Sequence, residues 1–293
     1  MSPSRVARLF CPSGAVSKDA YDAGVQALGD LGLDGVSESG VFAVWGYFAG
    51  EHGTRAERLS ALLRETTGPL WMIRGGFGAI HTLSHGLGLF DGVAPRELWA
   101  FSDGTALLSA WGKLHWPAWH APPLVQLPRL DAMSRKRVKR AYVDGVVPSF
   151  TGLLTLNQGI AHGPLMGGNL SVLASMVGTP FQADLGGSIL LLEDVGETAY
   201  RVDRLFTQLE LSGALKGVQG LALGEFTDVS AQENEKIRAF FGSAAQRLAL
   251  PAVWDVPIGH GVRNAPVPFG TASGFKARLR ADAKDGRLEI LRD

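Results

Sequence analysis

The stretch LWAFSDGT at residues 98–105 joins an apolar run to a serine, an aspartate and a glycine. The apolar run predicts a buried β-strand, and the residues after Ser102 are able to open a helix. A sharp turn from strand to helix exposes a serine hydroxyl and directs backbone N–H groups at whatever lies above it. The flanking glycines of the G-x-S-x-G motif are missing. This stretch alone therefore leaves two interpretations: Ser102 is a nucleophile, or it caps the next helix.

The upstream sequence repeats the arrangement of strand, loop and helix. Residues 6–10 and 70–73 predict buried strands, and the second of them runs into the glycine-rich loop at residues 74–78. Ser17 predicts the cap of a helix, and TRAE at residues 54–57 has the form of a capping box. Alternating strands and helices predict a parallel sheet, and ligands bind such sheets at the carboxyl ends of the strands.

The sequence changes character after about residue 125. The basic run RKRVKR at residues 135–140 indicates a solvated helix face more than an anion site, because the whole chain is neutral. Further on, four short apolar runs predict strands, at residues 189–192, 218–223, 253–256 and 288–290. An amphipathic pattern at residues 237–248 predicts a helix.

These patterns predict two domains of different class with an active site between them. We expect an α/β domain with a parallel sheet at residues 1–125, a linker and crossover at 126–149, and a C-terminal domain at 150–293. The C-terminal domain is expected to be mixed α+β and small-barrel-like. The chain has 293 residues, and domains usually run to about 100–200 residues, so its length fits this division.

Composition excludes several classes of function. Lys+Arg and Asp+Glu both number 28, which offers no field to attract a nucleic acid polymer or an anionic membrane. Cys11 is the only cysteine, so neither an internal disulfide nor a cysteine zinc cage is expected. As a single cysteine at a predicted strand tip, Cys11 is interpreted as a packing residue. The first residues lack the apolar stretch of a signal peptide, and we expect a cytoplasmic protein.

Two further segments carry side chains suited to chemistry. Glu193 and Asp194 end an apolar strand, where a carboxylate could orient a histidine, hold a metal or cap a turn. His260 stands between Gly259 and Gly261, on a backbone that permits close approach. With Ser102, these residues supply a hydroxyl, a base and a carboxylate. Metal hydrolysis is less favoured, because the histidines show no H-E-x-x-H spacing.

At these residues the sequence resembles the LD-carboxypeptidase family of serine peptidases, which includes the microcin C immunity hydrolases. The resemblance covers nearly the whole chain and lies in blocks that keep the family's order. The blocks are residues 12–14, 74–78, 101–106, 163–170, 192–197 with Arg201, Asp203 and Arg204, 223–226, and 259–261 with Arg263 and Asn264.

The resemblance implies a nucleophile, a base and an acidic member of a catalytic triad. By position these are Ser102, His260 and Glu193, lying in a groove between the two domains. Asp194 is a weaker candidate for the acidic role, because adjacent strand residues point to opposite faces. The implied reaction releases terminal D-alanine from cytoplasmic murein tetrapeptide, a small peptide substrate, during cell-wall recycling. The resemblance implies no cofactor, metal or membrane. It does imply a homodimer.

Three other residues have expected roles at the site. The backbone N–H groups of Gly76 and Asp103 are expected to form the oxyanion hole. Arg74 is expected to pair with a substrate carboxylate, although an arginine after a strand also suits a structural role.

The substrate is the least determined part of this hypothesis. Gly104 stands where the family usually has a bulkier aliphatic residue, which implies a looser turn or a wider pocket. Trp111, Trp116 and Trp119 suit either a core or stacking on a nucleobase. A hydrolase of a microcin C-like peptidyl-nucleotide or another peptide amide is therefore an alternative, and so is a non-catalytic binding protein on the same scaffold.

Overall fold

The computed structural model describes residues 6–86 and 88–292, and it contains two sheets with helices around them. The strands are β1 Ala7–Phe10, β2 Gly35–Ser37, β3 Leu70–Met72, β4 Leu98–Ala100, β5 Ala118–His120, β6 Phe150–Asn157, β7 Gly159–Gly163, β8 Leu165–Asn169, β9 Ile189–Val195, β10 Gly220–Thr227, β11 Ala252–Trp254, β12 Val267–Phe269, β13 Phe275–Ala281 and β14 Gly286–Arg292. The α-helices are α1 Lys18–Asp30, α2 His52–Glu65, α3 Ala79–His85, α4 Thr105–Lys113, α5 Ala132–Asp144, α6 Leu170–Ser175, α7 Ala199–Leu211 and α8 Ala231–Arg247.

The first sheet is the predicted parallel one, with an extra edge strand. Its order is β12-β5-β4-β3-β1-β2, in which β1 to β5 run parallel and β12 pairs antiparallel with β5. The chain order reverses beside β1 and β3, and in open α/β sheets a reversal opens a crevice at the carboxyl ends of the strands. This crevice is where the loops after β1, β3 and β4 meet.

The second sheet is half parallel and half antiparallel, and it curls into a nearly closed barrel. Its order is β7-β13-β14-β6-β11-β10-β9-β8, with β8 to β11 parallel and the remaining neighbours antiparallel. The predicted fold class is confirmed. The domain boundaries stay a prediction, and β12 joins the N-terminal sheet although it comes from the C-terminal half of the chain.

Helix α4 lies between the two sheets and contacts both. Its first seven residues are all buried, as expected for a helix that is apolar on every side. It contacts β8 of the second sheet and helix α6. Thr105 at its first position accepts a hydrogen bond at Oγ1 from the backbone N–H of Asn169, 3.0 Å away. One hydrophobic cluster therefore runs through both halves of the molecule.

One helix boundary differs from the prediction. Helix α2 begins at His52 after Glu51, so Thr54 lies inside the helix and caps nothing. The first turn is held instead by Arg55, which is 2% exposed and donates to the carbonyls of Pro12 and Gly50. The buried arginine thus ties the first turn of the helix to the segment before it and to the loop after β1.

The predicted crossover at residues 126–149 begins within a 3₁₀ turn, Leu124–Arg129, and contains helix α5, which carries the basic run. None of the helices in the described part of the chain has the length and apolar character needed to cross a bilayer.

Candidate active site

Ser102 lies at the turn between β4 and α4, with its backbone in the left-handed region at a φ of +58°. A non-glycine residue in this conformation carries strain, which marks a turn that tertiary contacts hold in place. Its hydroxyl caps neither the 3₁₀ turn that it opens nor α4. Gly75 packs against it so closely that a Cβ on Gly75 would lie 3.0 Å from the Ser102 Oγ.

Ser102, His260 and Glu193 form one hydrogen-bonded chain. The Nε2 atom of His260 lies 2.9 Å from the Oγ of Ser102, and its Nδ1 lies 2.7 Å from Oε2 of Glu193. The His260 side chain is 20% exposed, whereas Glu193 is fully buried. With the proton on Nδ1, the neutral imidazole donates to the carboxylate and accepts from the hydroxyl.

Asp194, the weaker candidate, has a different set of partners. Its Oδ2 accepts from the backbone N–H and the hydroxyl of Ser171, at 2.9 and 2.7 Å. It therefore holds the first turn of α6 while Glu193 faces the histidine. The amide of Asn169 bridges the two carboxylates, with its Nδ2 3.3 Å from Glu193 and 3.0 Å from Asp194.

The charges at the site raise the pKa of His260, so the protonated imidazole is more stable here than it is in water. Burial lowers the pKa of His260, but the carboxylates of Glu193, Asp194 and Asp228 together raise it by more, so the pKa lies above its ordinary value. Burial raises the pKa of Glu193, and the hydrogen bond from His260 offsets part of this. His120, also close to His260, has a pKa lowered to about 3 by burial and stays neutral.

The loop after β3 and the turn at Ser102 carry the two expected oxyanion donors, the backbone N–H groups of Gly76 and Asp103. Within residues 6–86 and 88–292, no acceptor takes the backbone N–H of Gly76 or of Asp103. The Asp103 side chain anchors the turn, because its Oδ2 accepts from Ser13 Oγ at 2.6 Å and from the Ala79 N–H at 2.8 Å. The Gly75–Gly76 loop and Ser102 are therefore held by one buried carboxylate.

Arg74 stands exposed at the start of the same loop and donates to the carbonyl of Ala15. Among the described residues, the carbonyl of Ala15 is the one acceptor of a hydrogen bond from its guanidinium. Gly104 leaves no vacancy, because the Sδ of Met72 lies 2.7 Å from where its Cβ would be. The side chain of Met72 therefore fills the space that a side chain at position 104 would occupy.

Several residues singled out in the sequence lie in the core. Trp111, Trp116 and Trp119 are buried, and Trp119 stacks on Trp99 at 5.1 Å between ring centroids. They cannot stack on a base without unfolding their surroundings. Cys11 is also buried, and burial raises the pKa of its thiol, so it remains protonated.

Asn169 and Gln126 at the site were not predicted to have roles there. Asn169 belongs to the Gly-Gly-Asn block at residues 167–169, and its only sequence signal is that block. Gln126 has no signal in the sequence, because a lone glutamine in a Leu/Pro-rich stretch predicts nothing.

Models of protein families match the chain in two places. The LD-carboxypeptidase N-terminal domain matches residues 7–121, and the LD-carboxypeptidase C-terminal domain matches residues 162–274. The murein tetrapeptide carboxypeptidase of Pseudomonas aeruginosa is 34% identical over 295 residues, covering 93% of this chain and 94% of the relative.

Solved structures share the fold at low sequence identity. The muramoyltetrapeptide carboxypeptidase from Oxalobacter formigenes superposes with a TM-score of 0.79 at 23% identity, covering 98% of this chain and 99% of the other. The microcin C7 self-immunity protein, solved with aspartyl sulfamoyl adenosine, gives a TM-score of 0.82 at 17% identity, covering 100% and 97%. At these identities the likeness concerns the fold.

Proposed function

Because the chain belongs to the LD-carboxypeptidase family and is therefore a peptidase, we propose that it is a serine peptidase that cleaves an L,D amide bond. In this proposal it releases the terminal D-alanine of murein tetrapeptide. Ser102 is the nucleophile, His260 the general base and Glu193 the residue that orients the base. The observation that carries the proposal is the continuous hydrogen-bonded chain from Ser102 through His260 to Glu193.

The geometry supports the following steps. His260 Nε2 takes the proton of Ser102 as Oγ forms a bond to the scissile carbonyl carbon. When the C–N bond breaks, the proton passes from His260 to the amine of the departing D-alanine. Water then attacks the ester in the same way and frees Ser102. Glu193 stabilises the imidazolium that exists between the two proton transfers.

The negative oxygen of each tetrahedral intermediate needs donors that are already in place. The free N–H groups of Gly76 and Asp103 are proposed to supply them, each worth a factor of about 10²–10³ in kcat. In support, Asp103 fixes this wall of the site through Ser13 and Ala79. The donors therefore need little reorganisation when charge develops.

Arg74 is proposed to pair with the terminal carboxylate of the substrate. A charge-assisted hydrogen bond contributes about 1.5–3 kcal/mol, so Arg74→Met should raise KM about 10-fold to 100-fold with kcat nearly unchanged. Steady-state kinetics on the peptide acid and on its C-terminal amide measure this effect. The variant should lose its preference for the acid, while Arg140→Met on the basic face of α5 should keep it. A preference retained in Arg74→Met contradicts the role.

The pH dependence of hydrolysis should report the raised pKa of His260. Protonated His260 cannot accept the Ser102 proton, so kcat/KM falls as pH drops through this pKa. Since Glu193 raises the pKa, we expect the midpoint of the acid limb above the ordinary histidine value of about 6.5. Initial rates across neutral pH measure it. A midpoint at or below that value, with the protein folded, contradicts the charge arrangement.

The resemblance to the family further supports a cytoplasmic enzyme that acts as a homodimer. The substrate is a small peptide, and no cofactor, nucleic acid polymer or membrane takes part in the proposed reaction.

A panel of substrates tests the proposed function. The wild type is incubated with L-Ala-D-Glu-meso-diaminopimelate-D-Ala, with its epimer that ends in L-alanine, and with a peptidyl-nucleotide amide. We expect release from the first peptide and no detectable release from the epimer. Activity on the nucleotide conjugate alone would replace the murein hypothesis by the alternative. The buried Trp111, Trp116 and Trp119 give that alternative no stacking surface.

A further inference from the structure

The backbone that carries His260 has no regular structure of its own. Residues 255–266, all described, belong to no helix or strand. His260 nevertheless meets Ser102, which comes from the other half of the chain, at 2.9 Å. A displacement of about 1 Å in such a pair costs on the order of 10² in rate. Something outside the loop must therefore hold it.

Gln126 forms hydrogen bonds to this loop on both sides of the histidine. Its Nε2 donates to the carbonyls of Gly259 and Gly261, at 2.9 and 3.1 Å. Its Oε1 accepts from Nδ2 of Asn264 at 2.8 Å. The side chain is 2% exposed, so these bonds are shielded from water. The two residues that flank His260 thus share one donor group.

The opposite face of the loop rests on Glu225. A Cβ on Gly259 would lie 2.7 Å from the Cβ of Glu225, and one on Gly261 would lie 2.6 Å from its Oε2. Glu225 is itself held by Arg263, whose Nε lies 2.6 Å from Oε1. The glycines beside His260 therefore permit the loop to sit between Glu225 and Gln126.

Gln126 is also connected through the backbone to the loop that packs against Ser102. It lies in the 3₁₀ turn Leu124–Arg129, and the N–H of its neighbour Val125 donates to the carbonyl of Ile73 at 3.1 Å. Ile73 directly precedes the loop that packs Gly75 on Ser102. The hydrogen bonds of Gln126 therefore connect the loop that carries His260 to the segment that packs against Ser102.

We infer that Gln126 is a positioning residue, which sets the placement of His260 against Ser102 from the N-terminal half of the chain. This inference rests on the proposed function, in which His260 is the base. Among the described residues Gln126 has no hydrogen bond to Ser102 or to the His260 ring, and it acts through the two glycine carbonyls.

Gln126→Met keeps the length of the side chain and removes both donated bonds. We expect kcat for D-alanine release to fall about 10²-fold with KM unchanged, because the groove that binds substrate is left intact. The low-field proton NMR resonance of His260 Nδ1–H, assigned by its loss in His260→Gln, should broaden or shift. This resonance needs no substrate, so it tests the positioning even if the wild type proves inactive on murein peptide.

Asn157→Leu is the matched control. The Nδ2 of Asn157 likewise donates to two backbone carbonyls, those of Ala245 and Leu250, at 3.3 and 2.9 Å. Asn157 pairs with Ala252, the first residue of β11, whereas the loop that carries His260 follows the last residue of that strand. It should lower the melting temperature as Gln126→Met does, while kcat and the resonance stay unchanged.

Gln126→Ala serves if the methionine variant does not fold, because it removes the amide donor without placing a charge or a longer apolar chain against the two carbonyls. An unchanged kcat and resonance in a folded Gln126 variant would overturn the inference. An equal loss of kcat in Asn157→Leu would overturn it as well, since the effect would then be one of general stability.

Discussion

Ser102→Ala is expected to lower kcat for D-alanine release by about 10⁶-fold, the loss seen when a serine nucleophile is removed from a triad. The substitution removes the only atom that bonds to the scissile carbon. It leaves His260, the loop after β3 and Arg74 in place, so substrate should still bind. We therefore expect the Kd for the tetrapeptide, measured by calorimetry, to stay near that of the wild type.

Ser109→Ala is the matched control for this loss. Ser109 lies on α4, the helix that follows the nucleophile, and its hydroxyl donates to the Thr105 carbonyl at 2.8 Å. Removing that hydroxyl changes a buried bond in the same helix and leaves the groove untouched. Full activity in Ser102→Ala, with release kinetics like those of Ser109→Ala, would show that another residue attacks the peptide.

Glu193→Gln is expected to lower kcat by about 10⁴-fold, with the fold retained. The glutamine amide can present its N–H to Nδ1 of His260, which forces the proton onto Nε2. In that tautomer the imidazole cannot accept the Ser102 proton, and the imidazolium loses the carboxylate that stabilises it. The acid limb of the pH profile should also move to lower pH, because the substitution removes the carboxylate that raises the pKa of His260 most, while burial still lowers it.

Asp194→Asn separates this role from the general loss of a carboxylate at the end of β9. Asp194 bonds Ser171 at the start of α6, so its replacement should lower the melting temperature and change kcat far less. Steady-state rates and thermal unfolding of both variants make the comparison. A loss in Asp194→Asn as large as that in Glu193→Gln would reassign the acidic role.

Local pattern was sufficient to predict the N-terminal half of the fold. The strands at residues 70–73 and 98–101 were predicted from apolar runs that end in glycine-rich or polar loops, and they occur as β3 and β4. Parallel strands put those loops at one edge, so the meeting of Gly75 with Ser102 follows from the topology. Helix α2 was predicted, but its start was not, because local pattern does not report the bonds of the buried Arg55 to the carbonyls of Pro12 and Gly50.

The candidate site depends on contacts between residues far apart in the chain. Ser102 and His260 are separated by 158 residues, and no periodicity relates them. Residue types suggested that Ser102, Glu193 and His260 could act together, and the resemblance of the sequence to a family assigned them to one catalytic triad. Gln126 lay outside every motif, since its role depends on two carbonyls that any sequence could present. A sequence pattern reports side-chain types, and such backbone contacts leave no trace in it.

Tryptophan composition was equally uninformative about the groove. Trp111, Trp116 and Trp119 suit a ligand surface by residue type, yet all three are buried, Trp111 in α4 and Trp119 in β5. His120 is fully buried there, and within the described residues neither ring nitrogen has a hydrogen-bond partner. Burial depends on which sheet a segment joins, and local pattern does not supply that information.

The most direct test of the account follows free D-alanine by mass spectrometry. Wild type and Ser102→Ala, prepared alike and checked for folding, are incubated with L-Ala-D-Glu-meso-diaminopimelate-D-Ala. The account predicts D-alanine and the tripeptide from the wild type alone. Equal release from both proteins would contradict Ser102 as nucleophile, and no release from the folded wild type would contradict the proposed substrate.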